Sequence, residues 1–215
     1  MRFSTFYKII NEISKFDLPG EKIQSLMAPP FRNQLIKKFK KSNDSAKPAA
    51  VLCLFYPNQN QQTSVVFILR KSNSGVHSSQ VGFPGGRPEK QDIDLSQTAI
   101  RETFEEVAVD LKSIQIIRSM TEVYIPPSNF IVKPYIGYSL KTPNFTPQIS
   151  EIDSIFEVSL KSILNSENQK KSIVKTSYGP SISVPSFVFD GHVIWGATAM
   201  ILIEIITLLE LIYKK

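Results

Sequence analysis

The feature that most constrains this chain is a predicted helix that carries three carboxylates along one side. Apolar side chains recur at helical spacing over residues 95–109, and Asp94 just before them is a preferred N-cap residue. At about 100° per residue, such a helix turns one face toward a core and the opposite face away from it. The predicted core face comprises Ile100, Thr103, Phe104 and Val107, and the predicted acid face comprises Glu102, Glu105 and Glu106.

Carboxylates at this spacing repel one another, at a cost of a few tenths of a kcal/mol per pair. Arg101 can offset part of that repulsion by pairing with Glu105, one turn away. A divalent cation would offset more, because Mg²⁺ prefers oxygen ligands and is commonly held by one or two carboxylates. The upstream pair Gly85-Gly86 would let the backbone approach such an ion closely. On these residues alone, a solvated acidic face and an ordinary tight turn are the alternatives.

The order of predicted elements places this helix inside a layered domain. Strands are predicted at residues 49–56, 64–70, 80–83, 113–118, 131–139 and 152–158, followed by a hairpin within 172–190 and a final helix over 193–213. Helical patterns in the first 41 residues precede a polar linker at 42–48. The sequence therefore predicts an N-terminal helical extension over residues 1–48 and an α/β or α+β domain over residues 49–215.

Residues 101–109, R-E-T-F-E-E-V-A-V, resemble the core of the Nudix box, G-x5-E-x7-R-E-U-x-E-E-x-G-U, in which U is aliphatic. The four charged positions of that core are filled by Arg101, Glu102, Glu105 and Glu106. Asp92 stands where the box has its upstream glutamate, in a loop one residue longer, which leaves its role open. Ala108 replaces the last glycine, and Thr103 replaces an aliphatic residue.

The resemblance implies the Nudix fold, an α/β/α sandwich with a mixed β-sheet, and hydrolysis of a diphosphate linked to a nucleoside. Water would attack phosphorus with the help of Mg²⁺ or Mn²⁺, which neutralise phosphoryl charge. The implied metal ligands are Glu102, Glu105, Glu106 and the carbonyl of Gly86, with Arg101 orienting the carboxylates. Glu151 is a candidate general base from outside the helix, and a surface acid before a strand is its other interpretation.

The segment upstream of the helix resembles the coenzyme A pyrophosphatase branch of that family. Residues 68–86, I-L-R-K-S-N-S-G-V-H-S-S-Q-V-G-F-P-G-G, follow the branch signature L-L-T-x-R-S-x-x-L-R-x-H-x-G-Q-V-A-F-P-G-G. Gly75 stands where that signature has its second arginine, and Ser79 where it has a glycine. The candidate substrate-binding residues by this resemblance are Arg70, His77, Gln80 and Arg87. Further similarity lies in the segments M-A-P-P-F-R, Y-I-P-P-S-N-F-I-V-K-P-Y-I-G and I-W-G-A-T-A-M.

Three functions follow from this resemblance. The first is hydrolysis of coenzyme A or its thioesters to 4′-phosphopantetheine, or its acyl form, and adenosine 3′,5′-bisphosphate. The second is hydrolysis of another nucleoside diphosphate such as ADP-ribose, which the replacements at Gly75 and Ser79 favour. The third is a non-catalytic, ligand-binding Nudix domain, which would be expected to lose acids that this chain retains at Glu102, Glu105 and Glu106.

Charge and cysteine content narrow the expected partners. Twenty-five Lys and Arg against 19 Asp and Glu give a net charge of +6, which suits a polyanionic small molecule, but no basic module with interleaved aromatics indicates nucleic acid. The sole cysteine, Cys53, permits no internal disulfide, which fits a reducing, cytoplasmic compartment. Residues 193–213 are apolar enough to cross a bilayer, but Glu204 and Glu210 favour a helix docked on the domain, so we expect no membrane partner. The oligomeric state is left open, a homodimer included.

Overall fold

A mixed β-sheet forms the centre of the molecule in a computed structural model that describes residues 1–39, 46–72, 80–176 and 179–213. Its strands are β1 (Lys47–Pro57), β2 (Thr63–Arg70), β3 (Val81–Gly82), β4 (Gly85–Gly86), β5 (Ile114–Ser119), β6 (Val123–Ile125), β7 (Phe130–Ser139) and β8 (Ile152–Ser159). The strand order is β3-β2-β1-β7-β5, with β4 on β1, β6 on β7 and β8 on β2. Strands β1 and β7 run parallel, whereas the other pairs are antiparallel.

A second, antiparallel sheet and six helices complete the described structure. The second sheet comprises β9 (Gln169–Thr176), β10 (Gly179–Phe189) and β11 (His192–Trp195). The α-helices are α1 (Phe3–Ile10), α2 (Gly20–Gln24), α3 (Arg32–Phe39), α4 (Leu95–Val107), α5 (Leu160–Ile163) and α6 (Gly196–Tyr213). Strands β4 and β6 were not predicted from the sequence, and the first residues of the predicted final helix form β11 instead.

Strand β1 sends its side chains into two cores, because successive residues of a strand point to opposite faces. Leu52 and Leu54 pack in a cluster with residues of α4, on one face of the sheet. Cys53 and Phe55 pack in the other cluster, with α1 and α6. Helices therefore cover both faces of a mixed sheet, which confirms the predicted α/β/α architecture with an N-terminal helical part.

The N-terminal segment belongs to the main core. Phe6, Ile10, Ile13 and Met27 are fully buried in the cluster that also holds α6. The chain terminus is also held to the sheet, since Thr63 N–H donates to the carbonyl of Met1 at 2.9 Å. The predicted division at residue 48 lies next to the start of β1, and as a domain boundary it stays a prediction.

Helix α6 has the length and composition of a membrane-spanning helix, yet 56% of its most apolar window is buried inside the protein. Its Glu204 is fully buried. The carboxylate accepts hydrogen bonds from the Gly20 N–H, the Gln24 side chain and the Thr121 hydroxyl, at 2.9, 2.9 and 2.5 Å. These contacts satisfy a buried charge within the fold. The predicted docking of the final helix on the domain is therefore confirmed.

Helix α4 begins as predicted, because the Asp94 side chain accepts hydrogen bonds from the backbone N–H groups of Ser96 and Gln97. Its predicted facing is partly wrong. Thr103 and Val107 are fully buried as expected, but Phe104 is 47% exposed and Glu106 only 1% exposed. The helix buries Glu106 because this side chain reaches the backbone of β4, and that rotation leaves Phe104 at the surface.

The facing of α4 can be tested with two truncations. Val107→Ala should lower the free energy of unfolding by roughly 2 kcal/mol, because Val107 lies wholly in the core. Phe104→Ala should lower it by less than about 1 kcal/mol, since half of that ring already contacts solvent. Urea denaturation of both variants measures the difference. A larger loss for Phe104→Ala would mean that the helix faces the other way.

Helix α4 also ends in a strained conformation. Its C-cap residue, Ala108, has φ 60° and ψ 28°, the left-handed region that favours glycine. We expect Ala108→Gly to raise the free energy of unfolding by roughly 1 kcal/mol, because relief of the Cβ strain outweighs the added freedom of the unfolded chain. A thermal melt without added metal tests this expectation. An unchanged or lower melting temperature would contradict it.

Candidate functional site

The strand of two glycines, β4, lies between β1 and the acidic side of α4. A Cβ atom on Gly85 would lie 2.2 Å from the carbonyl oxygen of Ala50, and one on Gly86 would lie 2.4 Å from the Glu102 carboxylate. Real Cβ atoms do not approach other atoms so closely. Position 85, which meets fixed backbone, therefore requires glycine, whereas a side chain at position 86 would displace the Glu102 carboxylate. The segment predicted as a turn is therefore an extended strand paired with β1. It places the backbone of Gly85 and Gly86 in contact with Glu106 and Glu102 of α4.

Glu106 is the most buried acid of the site. Its Oε2 accepts a hydrogen bond from Gly85 N–H at 2.8 Å. Its Oε1 lies 3.1 Å from Nη2 of Arg70, but this contact is not aligned as a hydrogen bond, so Oε1 remains an unsatisfied buried oxygen. Burial raises the pKa of Glu106 to about 7, although Arg70 and the Gly85 N–H lower it. A cation beside Oε1 would supply the electrostatic partner that this buried oxygen lacks.

Glu102 is the second acid beside the glycines. Its side chain is 17% exposed and packs against the Cα of Gly86. Burial raises the pKa of Glu102, and Arg101, whose Nη2 lies 3.2 Å from Oε1, opposes that effect. The negative charge of Glu105 also raises the pKa of Glu102, and the charge of Glu102 raises the pKa of Glu106. The site thus holds two carboxylates whose charge the protein alone compensates incompletely.

Arg101 connects the acidic helix to the preceding loop. Its guanidinium contacts Asp92 at 3.0 Å, Glu105 at 2.8 Å and the carbonyl oxygen of Arg87 at 2.8 Å. The predicted pairing of Arg101 with Glu105 is confirmed. The hydrogen bond from Arg101 lowers the pKa of Asp92 to about 2. Asp92 therefore anchors the arginine despite the longer loop, and this is the structural role that the sequence left open.

The three acids predicted as metal ligands are not equivalent. The Glu102 carboxylate lies beside Gly86, and the Glu106 carboxylate accepts a hydrogen bond from Gly85. The Glu105 side chain, by contrast, is 42% exposed and forms an ion pair with Arg101. Within residues 1–39, 46–72, 80–176 and 179–213, no three Asp, Glu, His or Cys side chains converge into a ready cage. The donors that do converge are hard oxygens, and one of them is unsatisfied, which fits Mg²⁺ or Mn²⁺ completed by substrate oxygens.

A cavity of about 960 Å³ opens beside the two glycines. The predicted substrate-binding residues Arg70, Gln80 and Arg87 line it, as does the candidate base Glu151. The guanidinium of Arg87 lies 4.8 Å from the centre of the Phe130 ring, a cation–π contact that fixes its position. His77, the fourth predicted substrate contact, lies outside the described residues. A cavity of this size accommodates a nucleotide-sized ligand.

The distant walls of the cavity come from both ends of the chain, and their residues were not predicted as part of the site. Phe31 and Arg32 approach from the N-terminal segment, and Trp195, Ala197 and Thr198 from the start of α6. The segments M-A-P-P-F-R and I-W-G-A-T-A-M contain them. Their similarity to one branch of a family was the only signal in the sequence, because nothing local shows that residues so far apart in the chain share a cavity.

Comparison with known proteins gives several relatives. The chain is 30% identical over 177 residues to Nudix hydrolase 15, mitochondrial, of Arabidopsis thaliana, covering 79% of this chain and 61% of the relative. It is 31% identical over 140 residues to mitochondrial coenzyme A diphosphatase NUDT8 of Mus musculus, covering 64% and 67%. It is 26% identical to peroxisomal coenzyme A diphosphatase ndx-8 of Caenorhabditis elegans, covering 73% and 66%. The chain thus spans less than two thirds of the length of the first of these relatives.

Comparison with solved structures gives similarity over part of the chain. A MutT/nudix family protein from Enterococcus faecalis superposes with a TM-score of 0.49 at 14% identity, covering 74% of this chain and 60% of that one. The names of the sequence relatives place them in mitochondria or peroxisomes, which gives no support to the predicted cytoplasmic location.

A family model described as NUDIX domain matches residues 46–175. That range begins just before β1 and includes β4, the acidic helix α4 and Glu151. It stops before β10 and α6, so the cavity walls from both chain ends lie outside it. Because the match covers more than half of the chain, this protein belongs to the Nudix family.

Proposed function

We propose that this protein is a metal-dependent hydrolase that cuts the diphosphate of coenzyme A or its thioesters. The products would be 4′-phosphopantetheine, or its acyl form, and adenosine 3′,5′-bisphosphate. The observation that carries the proposal is the pair of incompletely compensated carboxylates, the buried Glu106 and the partly buried Glu102, at a glycine strand that opens into a basic cavity. Two relatives named as coenzyme A diphosphatases support the choice of substrate.

The metal site would use the acids nearest the glycines. Glu102 and Glu106 would hold a Mg²⁺ or Mn²⁺ ion, with the Gly86 carbonyl as a further oxygen donor and Glu105 available to a second ion if it exchanges Arg101 for the metal. A bound ion supplies charge neutralisation for the phosphoryl oxygens and lowers the pKa of attacking water. The unsatisfied Oε1 of Glu106 is the feature of the protein that fits this assignment.

The remaining residues position the acids and the substrate. Arg101 is tied to Asp92 and to the Arg87 carbonyl, and thereby holds the side of α4 that carries Glu102 and Glu105. Arg70 contacts Glu106 and the carbonyl of Gly85, at the border of the cavity. A guanidinium there can also bind a phosphate oxygen. Gln80 and Arg87 would contact the substrate farther along the same wall.

Glu151 would take the proton from the attacking water. It lines the cavity, and its charge is close enough to raise the pKa of Glu106. Its backbone is fixed by a hydrogen bond from Lys71 N–H to the Glu151 carbonyl at 2.8 Å. A carboxylate on a firm loop near the metal ligands is suited to this role, because a general base must come within one water of the proton that it removes.

The substrate assignment is tested with a panel of coenzyme A, ADP-ribose and a diadenosine polyphosphate, with Mg²⁺, with Mn²⁺ and with EDTA. We expect release of 4′-phosphopantetheine from coenzyme A, identified by mass, at a kcat/KM at least about tenfold above the other substrates, and no turnover in EDTA. Preference for another diphosphate would reject coenzyme A and keep the Nudix mechanism. No turnover of any substrate would favour a ligand-binding domain.

The role of Glu106 is tested with Glu106→Gln, and Glu210→Gln on the exposed side of α6 is the control. We expect turnover to fall by roughly a thousandfold or more, because a metal ligand is lost. We also expect Mg²⁺ to raise the melting temperature of the wild type and the control but not of Glu106→Gln. Near-normal turnover would remove Glu106 from the metal site.

The same variant gives a pH-dependent signature without metal. The pKa of Glu106 in the folded protein, about 7, lies above the ordinary glutamate value of 4.5, so metal-free wild-type protein loses stability as pH rises from about 4.5 to about 7. The Glu106→Gln variant does not lose this stability, because glutamine cannot ionise. Metal-free Glu106→Gln should therefore melt above the wild type at pH 7.5 and with it at pH 5. A difference that does not change with pH would refute the buried charge.

A further inference from the structure

Arg32 is a half-buried arginine on the wall of the cavity, at the start of α3. Its backbone is fixed by a hydrogen bond from Arg32 N–H to the carbonyl of Pro29 at 2.9 Å. Its Nη1 donates to the carbonyl of Tyr124 at 2.7 Å, next to the cavity-lining residues Ile125 and Pro126. The guanidinium is therefore held in place on the cavity wall by contacts with backbone carbonyl groups, which do not neutralise its charge.

The other arginines near the site have different partners. Arg70 and Arg101 lie against glutamates, and the Arg87 guanidinium lies over the Phe130 ring, 4.8 Å from its centre. Arg118 donates to the carbonyls of Ile13 and Phe16 and does not line the cavity, so its role in the structure is complete. For Arg32, no carboxylate of the described chain lies within 4.0 Å of the guanidinium, and Glu21 acts only from a distance.

A partly buried cation without an ion pair is costly, and a bound anion would relieve that cost. Burial lowers the pKa of Arg32, which expresses the same deficit. A guanidinium has five N–H donors in a planar fork, and within the described residues the Tyr124 carbonyl accepts a hydrogen bond from Nη1 of Arg32. The remaining donors match the oxygens of a phosphate monoester, which carries close to two negative charges at neutral pH.

We propose that Arg32 binds a second phosphate group of the substrate, separate from the diphosphate that is cut. This inference rests on the proposed function, in which the diphosphate lies at Gly86 and Arg70, which line the same cavity as Arg32. In coenzyme A the second phosphate is the 3′-phosphate of the adenosine. Arg32 is then a specificity-determining residue that lies outside the matched family domain, which begins at residue 46.

The direct test compares coenzyme A with 3′-dephospho-coenzyme A on Arg32→Ala. Lys37→Ala is the matched control, because it removes the same charge from an exposed position of the same helix. We expect Arg32→Ala to raise the KM for coenzyme A by about tenfold or more with kcat little changed, and to leave both constants for the dephospho compound within about twofold. Equal losses on both substrates would reduce Arg32 to a structural role and overturn the proposal.

A conservative variant distinguishes the loss of phosphate binding from a loss of folding. Arg32→Lys keeps the charge but loses the planar fork, so it should recover part of the selectivity for the 3′-phosphate. Its melting temperature also reports how much the bond to the Tyr124 carbonyl contributes to the fold. Full selectivity for coenzyme A in Arg32→Ala, with intact folding, would contradict the inference.

A binding experiment separates this inference from the proposed activity. Calorimetry with adenosine 3′,5′-bisphosphate and with adenosine 5′-monophosphate requires no turnover. We expect the wild type and Lys37→Ala to bind the bisphosphate about tenfold more tightly than the monophosphate, and Arg32→Ala to bind both alike. That pattern in a protein that hydrolyses no coenzyme A would retain the phosphate site and reject the catalytic proposal. Equal binding of both nucleotides by the wild type would reject the phosphate site.

Discussion

The burial of the Glu106 carboxylate against the backbone of Gly85 is the interaction on which the rest of the site depends. This hydrogen bond requires β4 to pair closely with β1. A side chain at position 85 would prevent that pairing, because its Cβ atom would collide with the Ala50 carbonyl oxygen. The burial of Glu106 also fixes the rotation of α4, which then brings Glu102 onto Gly86 and turns Glu105 outward toward Arg101. An acid that is costly to bury thus determines the orientation of the helix, and that cost is what a divalent cation can relieve.

The sequence predicted the start of α4 and the identity of its acids because those features are local. An N-cap at Asp94, a charge pattern repeated every three or four residues and a preceding pair of glycines can all be read within a few turns of chain. The facing of Phe104 could not be read in that way. The usual rule places a phenylalanine inside and a glutamate outside, and a functional site is where a fold departs from it.

The cavity walls were beyond local reasoning for a different reason. Residues of the N-terminal segment and of α6 meet in the main core, where the buried Glu204 also accepts hydrogen bonds from Gly20, Gln24 and Thr121. That network joins three stretches of chain that are distant in sequence. Glu204 was read correctly as evidence against a membrane span, but its partners depend on tertiary packing and carry no sequence signature. The segments thus joined continue into the walls at Phe31, Ile125 and Ala197.

The residues suited to catalysis and those suited to substrate recognition come from different parts of the chain. The matched domain supplies the acids, the glycine strand and Arg70, which together suit the handling of a metal and a diphosphate. The two chain ends supply apolar surface at Phe31 and Trp195 and the cation Arg32, which has no carboxylate of the described residues within 4.0 Å. Changes in the ends can alter which part of a substrate is recognised without replacing the carboxylates, because the acids and the glycine strand lie within the matched residues 46–175. Recognition and chemistry can then diverge independently, as is common where one fold serves many substrates.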